Sequence, residues 1–221
     1  MVKLKISVKN PEIFVSVGEV LGVTVKKSKE ETMNLFKEII SRIKEEHSLE
    51  TLKDHPVVRA YRDFYWRIGI DPTKQRPSSE ALLRRGLKDN IPVINNVVDA
   101  GNIASMETLV PVGLYDMDLI EDKLELRFAR DGEIFEPIGG KKEELTRNQI
   151  VLADESKVLH VYPYRDSQLT MIREKTRNVL VVACGVPKVE SGIVLEACRK
   201  ACSYILRLAG GEKGDCRLVV V

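Results

Sequence analysis

RIGIDPTKQRPSSEALLRRGLKDNIPVINNVVDAGNIASMETLVPVGLYD, residues 67–116, is the stretch on which the reading of the fold turns. Asp71-Pro72 and Arg76-Pro77 punctuate it, so the chain from Ile70 to Ser79 is irregular. Ser78 or Ser79 is placed to cap the next helix, with Leu82 and Leu83 facing inward. Arg84, Arg85 and Lys88 fall near its C-terminus, where cations suit the helix dipole. Asn90-Ile91-Pro92 breaks the chain again, and a further helix is predicted from Val93 to about Met106. Ile94, Val97 and Val98 face one way on it, while Asn95, Asp99 and Asn102 form an i, i+4, i+7 stripe on another side. Such residues compete with the helix for backbone hydrogen bonds, so three on one face call for fixed partners. The stripe reads either as the polar wall of a cavity or as groups satisfying nearby loop backbone. Pro111 to Asp116 then makes a tight connection, and the whole stretch reads as one side of a binding pocket.

Working outward, Lys3 to Val8 alternates as a strand does. Ile13 to Val17 and Val20 to Val25, set around Gly18 and Gly22, predict a second strand with a bend or bulge. Ser28 with Glu31 forms a capping box, and Phe36, Ile39, Ile40 and Ile43 give the following helix its stripe as far as His47. Pro56 suits a first helical turn, and Gly69 stops that helix. Tyr61, Tyr65 and Trp66 on it are expected in the core. After Asp116 strands dominate. Leu124, Leu126 and Phe128 alternate, Arg130-Asp131-Gly132 reads as a hairpin turn into Ile134 and Phe135, and Gly139-Gly140 as another turn. Ile150–Ala153 and Val158–Tyr162 are two further strands. NVLVVAC, residues 178–184, is the continuous run of a strand buried on both faces. Ser191 is a fair cap for a long amphipathic helix ended by Gly210-Gly211, and Leu218–Val221 closes as a strand. The expected fold is a layered α/β (mixed α+β) domain, with a mixed, largely antiparallel sheet and flanking helices.

The 221 residues carry 35 basic against 33 acidic side chains, a net charge of +2 that confines any nucleic-acid contact to a local patch. Met1 to Val8 reads as a strand rather than a leader, and no apolar run is long enough for a membrane, so the expectation is a cytoplasmic protein. There is no Walker loop and no GxGxxG. His47, His55 and His160 show neither metal-ligand spacing nor a triad, and read as structural. Cys184, Cys198, Cys202 and Cys216 make no zinc pattern and read as reduced core thiols. Three places carry candidate chemistry. The loop before Ser78 either presents Arg76 and N–H groups to an anion or only shapes a turn. Arg165, Asp166, Ser167 and Thr170 either bind an ammonium, hydroxyl or phosphate or form a turn with an Arg–Asp pair. Glu190 either holds an amino group or a water, or caps the last helix.

Asn95-Asn96-Val97-Val98-Asp99, Asn102, Pro111, Asp116 and Gly139-Gly140, in that order, resemble the B3/B4 domain of the phenylalanyl-tRNA synthetase β subunit. RPSSEALLRR upstream and RDSQLT downstream are similar to free-standing members of that family. The likeness spans roughly residues 57–209, with 1–56 expected to pack on it within a single domain. It implies an editing module that hydrolyses the ester of a mischarged tRNA, here in trans, without cofactor or metal. The substrate site it implies takes in Asn95, Asp99, Asn102, Gly113, Asp116, Arg165, Asp166, Ser167, Thr170 and Glu190. Arg76, Ser78, Arg84, Arg85 and Lys88 would meet tRNA phosphates. No residue is assigned a catalytic role. Gly113 stands where the family carries a pocket histidine. Hydrolysis does not require that side chain, because an ester is already activated and an oriented water with an oxyanion donor suffices. The alternatives are a non-catalytic tRNA or amino-acid binding module, or a small-molecule enzyme on the same scaffold. The implied partners are tRNA or aminoacyl-tRNA and no membrane, with a homodimer left open.

Overall fold

The computed structural model describes residues 2–121 and 123–221. The chain begins with β1 (Lys3–Ile6) and β2 (Phe14–Leu21), then α1 (Glu30–Glu46), α2 (Pro56–Arg67), α3 (Ser78–Gly86) and α4 (Asn96–Thr108). Strands follow: β3 (Val112–Asp116), β4 (Lys123–Phe128), the short β5 (Ile134–Phe135) and β6 (Glu143–Glu144), β7 (Ile150–Ala153), β8 (Val158–Val161), β9 (Arg165–Asp166) and β10 (Val179–Gly185). α5 (Ser191–Ala209), β11 (Glu212–Lys213) and β12 (Arg217–Val219) complete it.

Among the described residues the strands form two sheets and a ribbon. The first sheet runs β1-β4-β7-β8-β9, with β1 parallel to β4 and the other pairs antiparallel. The second runs β11-β2-β10-β3, with β12 also on β2, and is antiparallel throughout. β5 and β6 pair with each other. The mixed α+β architecture expected from the sequence is the one observed.

β10 is the hinge of the layering, buried along its whole length as its apolar run predicts. Side chains alternate faces along a strand, and directly paired residues share one. Cys184 meets His160 of β8, so Leu180, Val182 and Cys184 face the first sheet. Gly18 is paired with Val181 and lies against Cys198 and Cys202, so Val179, Val181 and Ala183 face α5. The layers are therefore first sheet, second sheet and helices. α4 packs along α5, and α1 and α3 pack on α4. The buried stripe of α5 (Val194, Ala197, Cys198, Ala201, Cys202, Ile205) is rich in small side chains, which brings the helix close to β2 and β10.

Several local expectations are corrected. Ser28 does not cap α1: its hydroxyl donates to Asp99 Oδ2 at 2.5 Å, tying the entry of α1 to α4, and Lys29 takes the cap position. β2 pairs with β10 residue for residue through Gly18, without a bulge. Neither serine caps α3; Pro77 holds that position, with its fixed φ at the helix entry. α4 begins at Asn96 rather than Val93, because Asn95 caps it by accepting from Val97 N and Val98 N at 3.1 and 2.9 Å. Ser191 is the first residue of α5, and Glu190 is its cap position without a side-chain bond. Ile134 and Phe135 pair with β6 instead of returning on β4: Arg127 and the Arg130 N–H both hold Glu133, closing the turn through side chains. Trp66 is 59% exposed, one residue past the buried Phe64 and Tyr65 on α2.

Candidate functional site

β3 is the edge strand of the second sheet among the described residues. Gly113 and Tyr115 pair with Val182 and Leu180, and so point toward the first sheet. Val112 and Leu114 point the other way, toward α4. Their backbone groups are turned to the free side of the strand as well. Pro111 O and Met117 N bond toward β10 while Asp116 N reaches Thr170 O at 2.8 Å, and antiparallel bonding alternates between these two directions. Gly101 lets α4 approach: a Cβ there would lie 2.7 Å from Leu114 Cδ1.

Between α4 and β3 lies a cavity of about 170 Å³. Val98, Gly101 and Asn102 line it from α4, and Ile94 from the turn before it. Val112 and Leu114 line it from β3, Ile138 from the loop after β5, and Asp166, Met171 and Ile172 from β9 and beyond. Ile94 and Ile138 are 55% and 52% exposed, so the rim is apolar as well as the wall. Asp166 is the one charged side chain among the described lining residues.

Asp166 is held from below. Its Oδ1 accepts from the Tyr115 hydroxyl at 2.7 Å and lies 2.8 Å from His160 Nδ1. Both partners take the same oxygen, which leaves Oδ2 as the oxygen available to the cavity. His160 is 4% exposed, and its Nε2 lies 3.9 Å from Cys184 Sγ. The line Cys184–His160–Asp166 has the order of a nucleophile triad but not its chemistry. Cys184 is fully buried and outside the cavity, and burial, reinforced by the Asp166 charge, pushes its thiol well up. Burial and the same charge push the Tyr115 hydroxyl well up, keeping it a neutral donor. The network therefore orients a carboxylate; it does not generate a thiolate.

The structure brings together two of the site residues expected from the sequence, Asn102 and Asp166. The others lie elsewhere. Asn95 is the cap of α4. Asp99 is fully buried, bonded to Ser28 and the Ile94 N–H, and burial raises its carboxyl above the usual range. Gly113 lies under the Tyr115 hydroxyl, which occupies the space a Cβ would need. Asp116 accepts from Thr176 at 2.6 Å and from Asp118 N. Ser167 is buried between Glu136 O and Leu169 N. Arg165 pairs with Glu143 at 3.2 Å. Thr170 is buried, and its hydroxyl has no hydrogen-bond partner among the described residues. Glu190 is exposed and outside the cavity.

Two of the basic residues expected at phosphates, Arg76 and Arg84, lie instead beside a carboxylate. Glu80 of α3 is fully buried and accepts from Arg62 at 2.7 and 2.8 Å and from Arg84 at 2.9 Å, with Arg76 at 3.9 Å. Burial alone would raise its carboxyl; the hydrogen bonds and charges of Arg62 and Arg84 outweigh that and hold it below the usual range. Ser78 is the first residue of α3, and Arg85 and Lys88 remain exposed. None of the five lines the cavity.

Sequence reasoning missed Tyr115, His160 and Asn96. A histidine alternating with apolar residues in a buried strand was the signal for His160. Asn96 shares its motif with Asn95 but acts as a clamp, accepting from Lys26 N and donating to Thr24 O and Leu208 O.

A family model described as the B3/4 domain matches residues 60–210, and the chain belongs to that family. It is similar to phenylalanine–tRNA ligase beta subunits. That of Protochlamydia amoebophila is 32% identical over 113 residues, 51% of this chain and 14% of the subunit. That of Neisseria meningitidis serogroup B is 24% identical over 170 residues, 66% of this chain and 22% of the subunit. That of Carboxydothermus hydrogenoformans is 33% identical over 120 residues, 54% of this chain and 15% of the subunit. The chain thus corresponds to less than a quarter of each of these relatives. A crystal structure of an N-terminal fragment of the phenylalanyl-tRNA synthetase beta subunit from Pyrococcus horikoshii superposes with a TM-score of 0.48 at 15% identity, covering 96% of this chain and 52% of that one.

Proposed function

We propose that this protein binds the aminoacyl end of a charged tRNA in the cavity between α4 and β3 and hydrolyses the ester of a mischarged one in trans. The observation that carries the reading is the Asp166 carboxylate, its Oδ1 taken by Tyr115 and His160, at a cavity of about 170 Å³ lined otherwise by apolar residues and Asn102. That volume lies below the roughly 300–1,000 Å³ of a drug-sized site and suits one amino-acid residue. In this reading the substrate's α-ammonium group takes Oδ2, and its side chain lies among Val98, Val112, Leu114 and Ile172. The ester carbonyl then falls near Asn102 and the free edge of β3. A donor there to the oxygen that gains charge is worth about 2.7–4 kcal/mol in comparable sites. A water oxygen adds to the carbonyl carbon, the bond to the ribose oxygen breaks, and the ribose oxygen takes the proton. Exposed Arg85 and Lys88 serve the tRNA phosphates.

One observation favours a second reading, binding without turnover. Glu190 stays outside the cavity, so Asp166 has no second carboxylate beside it among the described lining residues to orient the water. Deacylation of a panel of tRNAs carrying cognate and non-cognate amino acids, with Asn102→Ala beside the wild type, decides between them. The expected result is turnover of a subset of esters, reduced by the substitution. Salt-sensitive tRNA binding with no ester turned over establishes the second reading, and absence of both overturns each.

A further inference from the structure

A second cluster lies on the opposite side of the second sheet's helix face from the cavity. Cys198 and Cys202 stand one turn apart on α5, both fully buried. Cys216 precedes Arg217, which pairs with Val17 of β2, so Cys216 stands beside Gly18. The three Sγ atoms lie within 4.8 Å of one another, and those of Cys202 and Cys216 are 3.7 Å apart. They converge on one point: a Cβ built on Gly18 would lie 2.7, 2.8 and 3.0 Å from the sulfurs of Cys202, Cys216 and Cys198. With a metal–sulfur bond of about 2.3 Å, tetrahedral geometry sets sulfur–sulfur distances of about 3.8 Å and trigonal geometry about 4.0 Å. The cluster needs only small side-chain shifts to meet either, and glycine on β2 is what leaves the room.

Cys216 is half-buried, which gives an ion a way in and leaves a fourth coordination position to solvent. We propose that Cys198, Cys202 and Cys216 form a binding site for a thiophilic d10 cation, zinc or monovalent copper. Soft sulfur ligands select these ions. Three S–H protons leave to solvent as three metal–sulfur bonds form, and no electron is transferred.

The test uses the full chain, reduced and kept anaerobic, titrated with Cd²⁺ as the spectroscopic probe and separately with Zn²⁺ and with Cu(I) against a chromophoric competitor. The expected result is a sulfur-to-cadmium charge-transfer band saturating at one ion per chain, and three sulfur neighbours at about 2.3 Å in X-ray absorption of the zinc form. The arm with the higher affinity names the ion. Cys216→Ser is expected to weaken binding about 100-fold or more, since loss of a mere outer-shell partner already costs ~10–100-fold. Circular dichroism checks that this variant folds. Absence of the band, a band indifferent to Cys216→Ser, or fewer than three sulfur neighbours overturns the proposal. So does a Cys202–Cys216 disulfide formed in place of metal binding. The sulfur count is taken on the wild type, so a misfolded variant does not shield the proposal.

Discussion

Replacing Asp166 by asparagine separates what the carboxylate does for the fold from what it does for a ligand. The amide oxygen can keep both contacts that Oδ1 makes, with the Tyr115 hydroxyl at 2.7 Å and His160 Nδ1 at 2.8 Å. The amide nitrogen then takes the place of Oδ2 at the cavity. Hydrogen bonds to a charged group contribute about 1.5–3 kcal/mol and neutral ones about 0.5–1.5, so the fold loses roughly 1–1.5 kcal/mol per contact. The side chain is 34% exposed, and water screening lowers that figure further. A bound α-ammonium group loses far more, because it exchanges an anionic acceptor for an N–H donor of its own polarity. A cost of about 1.5–3 kcal/mol is about 10- to 150-fold in affinity. Calorimetry with an amide-linked aminoacyl-adenosine, which cannot be hydrolysed, reads that loss directly. Urea denaturation of the same variant reads the stability. An Asp166→Asn protein that binds the analogue at full strength refutes the assignment of Oδ2 to the ammonium group. One that unfolds refutes the claim that the network tolerates an amide.

Two further outcomes follow from the same geometry. Gly101→Ala gains about 1 kcal/mol of helix propensity and pays for it in crowding, because the new methyl lies 2.7 Å from Leu114 Cδ1. Overpacking typically costs about 1–3 kcal/mol, so stability changes little while Leu114 is driven into the cavity; thermal melts near wild type with lost analogue binding are expected, and unchanged binding counts against the cavity as the site. Glu80, held below the usual carboxyl range by Arg62 and Arg84, stabilises the protein fully above its unfolded value of about 4.3, and that contribution is lost as pH falls through the lower folded value. Glu80→Gln should therefore cost about 1–3 kcal/mol at neutrality, since Arg62 and Arg84 keep access to water, and should flatten the acid limb of a plot of urea midpoint against pH; an unchanged acid limb places the acid sensitivity elsewhere.

The mixed α+β class and most elements were legible because they rest on local patterns, whereas the division of the strands into two sheets was not. The apolar run of 178–184 announced a strand buried on both faces, and Pro56 and Gly69 bracketed α2. Caps were read less well, for a consistent reason. Ser28 has the right residue type and spacing for a cap, but a buried carboxylate from α4 competes for its hydroxyl and wins. Of the two readings of the polar stripe of α4, the one in which its groups satisfy nearby backbone holds for Asn95 and Asp99. Asn95 turned out to start the helix, Asp99 to face the α1 entry, and only Asn102 to reach the cavity. Asp166 was singled out from its loop, yet its two supports were not, because Tyr115 is 51 residues away and only sheet packing brings it near. The cysteine cluster is the extreme case. Cys198 and Cys202 show helical spacing, but Cys216 joins them through the pairing of β12 with β2, which no spacing rule encodes.

The edge position of β3 explains why the cavity lies where it does. An edge strand carries unpaired N–H and C=O groups, normally a liability. Here Thr170 covers one end of that edge through the Asp116 N–H, and α4 roofs the face beside it. What remains, along Val112 and Leu114, is backbone with hydrogen-bonding capacity next to an apolar cavity and one oriented carboxylate. Residue 113 points to the opposite face, where the Tyr115 hydroxyl passes over its Cα on the way to Asp166. A histidine side chain at 113 would take the space through which that hydroxyl reaches. Glycine at this position is thus the condition for the Tyr115–Asp166 contact.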